Sequence, residues 1–110
     1  METPAKGNIV LIPFPFSDLS SVKNRPCLVV AKLKGEDVIL CQITSIARED
    51  KDAIAVTDKD FKKGKLNITS YVRPTKIFTA DTSIIISKVG ELQDRKIREV
   101  ENKLCEIFTR

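Results

Sequence analysis

The first half of the chain alternates apolar runs with short polar breaks. Residues 8–14 (NIVLIPF) are rich in β-branched side chains and predict a first strand, with Pro13 and Pro15 expected to end it. PFPFSDLSSVKN then carries the serines, aspartate and prolines of a loop. Residues 26–33 (PCLVVAKL) predict a second strand. Its CLVVA run is apolar at successive positions, which implies burial on both faces or a place in a barrel wall. Lys34-Gly35-Glu36-Asp37 predicts a short turn into a third strand at 38–44 (VILCQIT), paired with the second as a hairpin.

The second half is more charged. Residues 46–52 (IAREDKD) read as a connection and 53–57 (AIAVT) as a short strand. Residues 58–67 (DKDFKKGKLN) read as a loop or helical turn punctuated by Gly64. Residues 68–79 (ITSYVRPTKIFT) are extended in character, with Pro74 implying an edge position or a bulge. Residues 84–90 (IIISKVG) give a last short strand. From Asp94 the pattern changes: Ile97, Val100, Leu104, Ile107 and Phe108 recur at helical spacing between charges. Asp94 is placed to cap this helix, and Arg110 to meet the negative end of its dipole. About six short strands and one C-terminal helix in a small chain favour a mainly β fold, a strongly bent sheet or small barrel with the helix as a lid.

Bulk properties narrow the class. A chain of 110 residues, 42% apolar and 31% charged, is expected to be one domain over 1–110 with a core of its own. No apolar run approaches the length of a membrane span, and METPAKGNIVLIPF lacks the layout of a signal peptide, so a cytoplasmic location is the expectation. Three widely spaced cysteines, Cys27, Cys41 and Cys105, suggest buried reduced thiols rather than a disulfide or zinc framework. The absence of histidine removes Ser-His and Cys-His nucleophile pairs, imidazole metal ligands and two-histidine RNA cleavage. Net charge is +4, and residues 59–76 concentrate it: Lys59, Lys62, Lys63, Lys65, Arg73 and Lys76 stand against Asp60 alone. Such a segment either attracts phosphates or is simply a solvated loop.

Three clusters could carry chemistry. Lys23-Asn24-Arg25-Pro26 leads into the second strand, Thr44-Ser45 closes the third, and Ser70-Tyr71-Val72-Arg73 lies in the basic segment. The tight turn makes the second and third strands antiparallel, which brings the start of one beside the end of the other. Arg25 and the two hydroxyls would then surround one small anion. A guanidinium matches phosphate oxygens with a planar fork of donors and stays protonated, so its role is to stabilise developing charge rather than to accept a proton. RNA brings its own nucleophile, the 2′-hydroxyl, so neither histidine nor metal is required. Blander readings stand beside this one. Arg25 could be a surface arginine, Thr44 and Ser45 a plain strand end, Arg73 an exposed edge residue and Asp18 the acceptor of an Asx-turn.

GNIVLIPFPFSD, KNRPCLVV, ITS, SYVRPTKIFTAD and KVGEL before a terminal helix together resemble the PemK/MazF-like toxins of bacterial toxin–antitoxin pairs, over about residues 7–108. The resemblance implies a small SH3-like barrel of the PemK/MazF/CcdB type, assembled as a homodimer. It implies a metal-independent endoribonuclease that cuts single-stranded mRNA at short sequences, leaving 2′,3′-cyclic phosphate and 5′-hydroxyl ends. It also implies an antitoxin partner with an acidic tail. By position, Arg25 and Thr44 resemble the family's catalytic pair. Lys23, Ser45, Ser70 and Arg73 are expected to contact RNA. Some members carry an acidic residue two positions after the Val-Arg pair, where this chain has Thr75; Asp18 and Asp81 are spare carboxylates. The loop from Pro13 to Asn24 is expected to flank the RNA groove. Two other functions fit the same barrel: a gyrase-poisoning, CcdB-like toxin, which would need an exposed apolar hook, and a barrel that binds RNA without cutting it. The missing terminal tryptophan weighs against the first, and the scarcity of stacking aromatics against the second.

Overall fold

The computed structural model describes residues 3–15 and 22–110. Seven strands, β1 (Asn8–Pro15), β2 (Val22–Lys32), β3 (Asp37–Thr44), β4 (Ile54–Val56), β5 (Phe61–Gly64), β6 (Ser70–Asp81) and β7 (Ser87–Leu92), precede one helix, α1 (Asp94–Thr109). They form a single antiparallel sheet in the order β4-β6-β3-β2-β1-β7-β5. β4 and β5 lie at opposite edges, yet only the short 3₁₀ turn Asp58–Asp60 and its flanking residue separate them in the chain. A connection that short forces the two edges together, so the sheet curls into a half-barrel.

Both faces of the central strands are packed. Leu28, Val30, Cys41, Ile43 and Val72 point into the curl and meet Val100 of α1, whereas Val10, Ile12, Cys27, Val29 and Leu40 form a second cluster on the other face. Successive side chains of a strand point to opposite faces. The uninterrupted CLVVA run therefore feeds both clusters at once, as its lack of alternation predicts.

Several boundaries differ from those read in the sequence. β1 continues through both prolines, pairing Pro13 with Asn24 and Pro15 with Val22. The Leu11 carbonyl accepts from Ile86 N–H on the β7 side, and Pro13 and Pro15 share its parity. Their missing N–H groups thus face the side where β7 pairing has already ended at Leu11, a position proline tolerates. β5 is a strand in a stretch read as loop or helical turn; of its four residues FKKG only Phe61 is even partly buried, so it shows no alternation. Pro74 does mark a bulge: three residues, 74–76, lie between the pairs Gln42↔Arg73 and Cys41↔Ile77.

The helix closes the seam between the sheet edges. Gln93, not Asp94, occupies the cap position, and it makes no side-chain cap bond. Its amide donates instead to the carbonyls of Lys59 (3.0 Å) and Phe61 (3.3 Å). Lys96 is buried, with Nζ donating to the Ala55 carbonyl at 3.2 Å and lying 3.8 Å from Asp60. Asp60 is also buried, accepts from Thr57 N–H at 2.8 Å and pairs with Arg95 at 3.0 Å. Burial opposes its ionisation, but the Thr57 bond and the two cations outweigh it and hold the carboxyl below its ordinary value. Gly7 ties the opposite side: its N–H donates to Val29 and its carbonyl accepts from Leu92, at a φ of 95° with the Ile97 side chain where a Cβ would stand. Val100 is fully buried, but Phe108 is 68% exposed, so the helix's apolar stripe outruns the sheet beneath it. Arg110, expected to act on the helix dipole, forms a two-bond pair with Asp52 at 3.2 and 3.1 Å.

Asp60→Ala leaves the Thr57 N–H without its acceptor and takes one carboxylate from Lys96, which keeps Glu99 at 2.9 Å, so it is expected to cost about 1–3 kcal/mol. Urea unfolding measures it, and the double variant Asp60→Ala/Lys96→Met should recover part of the loss. Equal stability of the single and double variants would show that the ion pair does not hold the seam.

Candidate active site

The β2–β3 hairpin does not have a uniform register. Near its turn Lys32 pairs with Val38 and Ala31 with Ile39; past a bulge at Val30 the pairs are Val29↔Leu40, Leu28↔Cys41 and Cys27↔Gln42. Carrying that register two residues further sets Arg25 opposite Thr44. Without the extra residue Thr44 would face Pro26, because a one-residue slip changes every cross-strand partner. On the flanking strands Arg25 pairs with Ile12, Thr44 with Tyr71, and Tyr71 with Ala55. Cross-strand partners share a face, so Arg25, Thr44 and Tyr71 form a row on the face opposite α1. Gln42 and Arg73, paired with each other, lie two residues along on the same face.

Arg25, Thr44 and Tyr71 are half-buried, and Lys23 and Ser45 are exposed. Thr44 Oγ1 accepts from the Ile46 N–H at 3.2 Å. The hydroxyl proton is therefore left to donate outward. Arg73 Nε donates to Asp50 Oδ2 at 2.8 Å, and the Asp50 side chain is only 7% exposed. Asp50 also accepts from Asp52 N–H at 3.0 Å. The Arg73 bond, helped by that backbone N–H and opposed by burial, holds the Asp50 carboxyl below its usual value. A carboxylate so placed is a weak proton acceptor and a firm anchor. Ser70 lies apart from the row. It shares parity with Val72, faces the curl, is 4% exposed and donates to the Ile68 carbonyl at 2.9 Å.

Over residues 5–108 the chain matches the PemK-like, MazF-like toxins of type II toxin–antitoxin systems. It belongs to that family. Solved structures of similar fold include MazE–MazF from Deinococcus radiodurans, with a TM-score of 0.77 and 19% identity over 98% of this chain and 97% of that one. A mycobacterial endoribonuclease in complex with its cognate antitoxin gives a TM-score of 0.75 and 17% identity over 96% and 94%. A ribosome-recycling factor from Streptomyces coelicolor is 34% identical over 94 residues, 86% of this chain and 48% of that protein. The chain spans about half the length of the curated relatives it matches. The family match is nearly end to end and agrees with the fold, so it carries the assignment.

Thr75, where the resemblance pointed to an acid in some members, is exposed within the β6 bulge. Asp81 does not replace the missing acid: it pairs with Asp37 at the far end of β6, and its carboxylate accepts from Ser83 N–H at 2.8 Å. Asp18 and half of the loop expected to flank the groove, residues 16–21, lie outside the described residues. Asp50 is a site neighbour that the sequence did not single out, being one of several charges in IAREDKD that only the fold pairs with Arg73; Tyr71 stood in one of the three clusters but without a role. Among the described residues no cluster of three or more His, Cys, Asp or Glu side chains is arranged to hold a metal ion, and no helix is long and apolar enough to cross a membrane. Burial pushes the Cys27 thiol up to about 12, with a smaller push from Cys41, and burial alone raises Cys41 to about 12. Neither is a nucleophile. Cys105 is exposed, contrary to the expectation of three buried thiols.

A thiol reagent should therefore react with one cysteine in the folded protein and three after denaturation; fast reaction of Cys27 or Cys41 would contradict the packing. A carboxyl with a lowered pKa contributes stability that is in place above its unfolded value and is lost as pH falls through its folded value. The Asp50–Arg73 pair should thus persist at neutral pH and release only below about pH 4. NMR titration should find the Asp50 carboxyl below the ordinary aspartate range, and Arg73→Gln should bring it back up.

Proposed function

We propose that this chain is a cytoplasmic toxin that cleaves single-stranded mRNA without a metal, at short sequences, leaving 2′,3′-cyclic phosphate and 5′-hydroxyl ends. What supports the reading most is the β2–β3 register, which, continued two residues past Cys27↔Gln42, sets Arg25 across from Thr44 on one face. The 2′-oxygen forms a bond to the adjacent phosphorus, the bond from phosphorus to the 5′-oxygen breaks, and the proton of the 2′-hydroxyl is replaced on the departing 5′-oxygen. No water is consumed. Arg25 keeps its charge throughout and neutralises the oxygens of the five-coordinate phosphorus. The Thr44 hydroxyl, held from behind by Ile46 N–H, donates to one of those oxygens. Lys23 and Ser45 border the row and hold flanking phosphates. Ser70, expected to contact RNA, faces inward and is left out of the proposed RNA contacts. Positioning the 2′-oxygen in line supplies the rest of the acceleration.

The antitoxin complexes among its structural neighbours support an antitoxin partner; the proposal adds a second copy of the chain, and an acidic antitoxin tail that competes with RNA for the Arg25 face. The polar row supports RNA chemistry over gyrase poisoning.

Incubation with a long RNA in EDTA, followed by mapping of both ends at each cut, tests the reading. Cyclic phosphate and 5′-hydroxyl ends are expected. Arg25→Ala should lower kcat about 10²–10³-fold, the effect of removing one preorganised donor. Arg25→Lys should rescue little, because an ammonium lacks the planar fork. RNA that is bound but left intact by the folded wild-type protein would instead favour the non-catalytic barrel.

A further inference from the structure

Beside Thr44 the connection from β3 to β4 borders an open hollow of about 360 Å³ lined by Ile46, Ala47, Arg48, Glu49, Asp50 and Arg73. We propose that this hollow is a nucleobase pocket that selects guanine next to the scissile phosphate, with Asp50 as the positioning residue that aims Arg73. The proposal rests on the ribonuclease reading and adds its specificity.

Location supports a subsite. Arg73 is two residues along β6 from Tyr71, the cross-strand partner of Thr44, which is about 7 Å. That is within reach of a nucleotide neighbouring one whose phosphate lies between Arg25 and Thr44. Ile46, whose N–H holds the Thr44 hydroxyl, is itself part of the lining, so pocket and chemistry share a residue.

Charge argues for a base rather than a second phosphate. The lining carries two cations, Arg48 and Arg73, and two carboxylates, Glu49 and Asp50. With no net positive charge the hollow has little pull on an anion. It suits a neutral ligand that offers both acceptors and donors. Ile46, 63% exposed, gives that ligand an apolar surface to lie against.

The donor pattern points to guanine. Asp50 engages Arg73 through Nε, which leaves the Nη hydrogens to donate. Arginine pairs with O6 and N7 of guanine, whereas adenine puts a donor where O6 stands. Glu49 is exposed on the rim and can accept from N1–H and the 2-amino group on the other edge. Single-stranded RNA is read on both of these base edges. The buried Asp50 carboxylate keeps the guanidinium from swinging away, which makes its orientation part of the recognition.

RNA oligonucleotides that differ only in the base flanking the cut, together with 7-deazaguanine and inosine at that position, test the pocket. The wild-type protein should favour guanine by roughly tenfold to a hundredfold in kcat/KM. 7-Deazaguanine removes the N7 acceptor and should lower cleavage in the wild type but not in Arg73→Gln. Inosine removes the 2-amino donor and should lower it in the wild type but not in Glu49→Gln. Asp50→Asn, checked for folding by thermal melting, should lose the 7-deazaguanine effect while still cutting. Fluorescence anisotropy with the same oligonucleotides reads the pocket apart from the chemistry. Guanine-selective binding without cutting would keep the pocket and overturn the ribonuclease reading. Equal binding and cutting of all four bases, or variants that slow every substrate alike, would overturn the pocket.

Discussion

One extra residue in β2 governs the architecture of the site. The bulge at Val30 shifts the β2–β3 register by one, and that register, carried two residues past its last pair Cys27↔Gln42, sets Arg25 opposite Thr44. The bulge sits five residues from the arginine it aligns. Between them Cys27, Leu28 and Val29 are fully buried, on alternating faces, in two separate clusters. A slip back would expose one set and bury the wrong one. The packing of both faces is thus what makes the placement of a guanidinium and a hydroxyl rigid, and rigidity is what a site built on positioning and charge requires.

The charged residues divide by what they hold. Asp60, Lys96 and Arg95 close the seam where the curled sheet meets the helix, and Asp52 and Arg110 fasten the end of the helix to the β3–β4 connection. Asp50 fastens the same connection to β6 through Arg73. That connection follows Thr44 directly. The lysines of the basic segment near residue 60 stay exposed, but the segment is not all loop. Part of it is a short strand, and its one carboxylate is buried as the partner of cations on α1.

What the sequence revealed depended on locality. The hairpin between residues 26 and 44 could be read because a tight turn joins its strands, and antiparallel pairing across that turn brings Arg25 and Thr44 toward each other. The helix was legible from its periodicity, and the bulge at Pro74 from the missing N–H. Other features were decided by residues far apart. Pro13 stays in a strand because β7 stops pairing at Leu11. Gln93 takes the cap position because carbonyls on residues 59 and 61 claim its amide. Ser70 turns inward while Arg73 turns outward through parity alone, and no local signal in SYVR sets the phase. The Asp50–Arg73 bond joins residues 23 apart in the chain, which no short motif records.

The central claim is that one phosphate lies between Arg25 and Thr44. A crystal structure with a short RNA whose scissile nucleotide is 2′-deoxy, and so cannot be cut, tests it most directly. The account predicts the Arg25 guanidinium and the Thr44 hydroxyl each about 3 Å from oxygens of the same phosphate. A scissile phosphate bound elsewhere, with Arg25 making no contact to RNA, would contradict it.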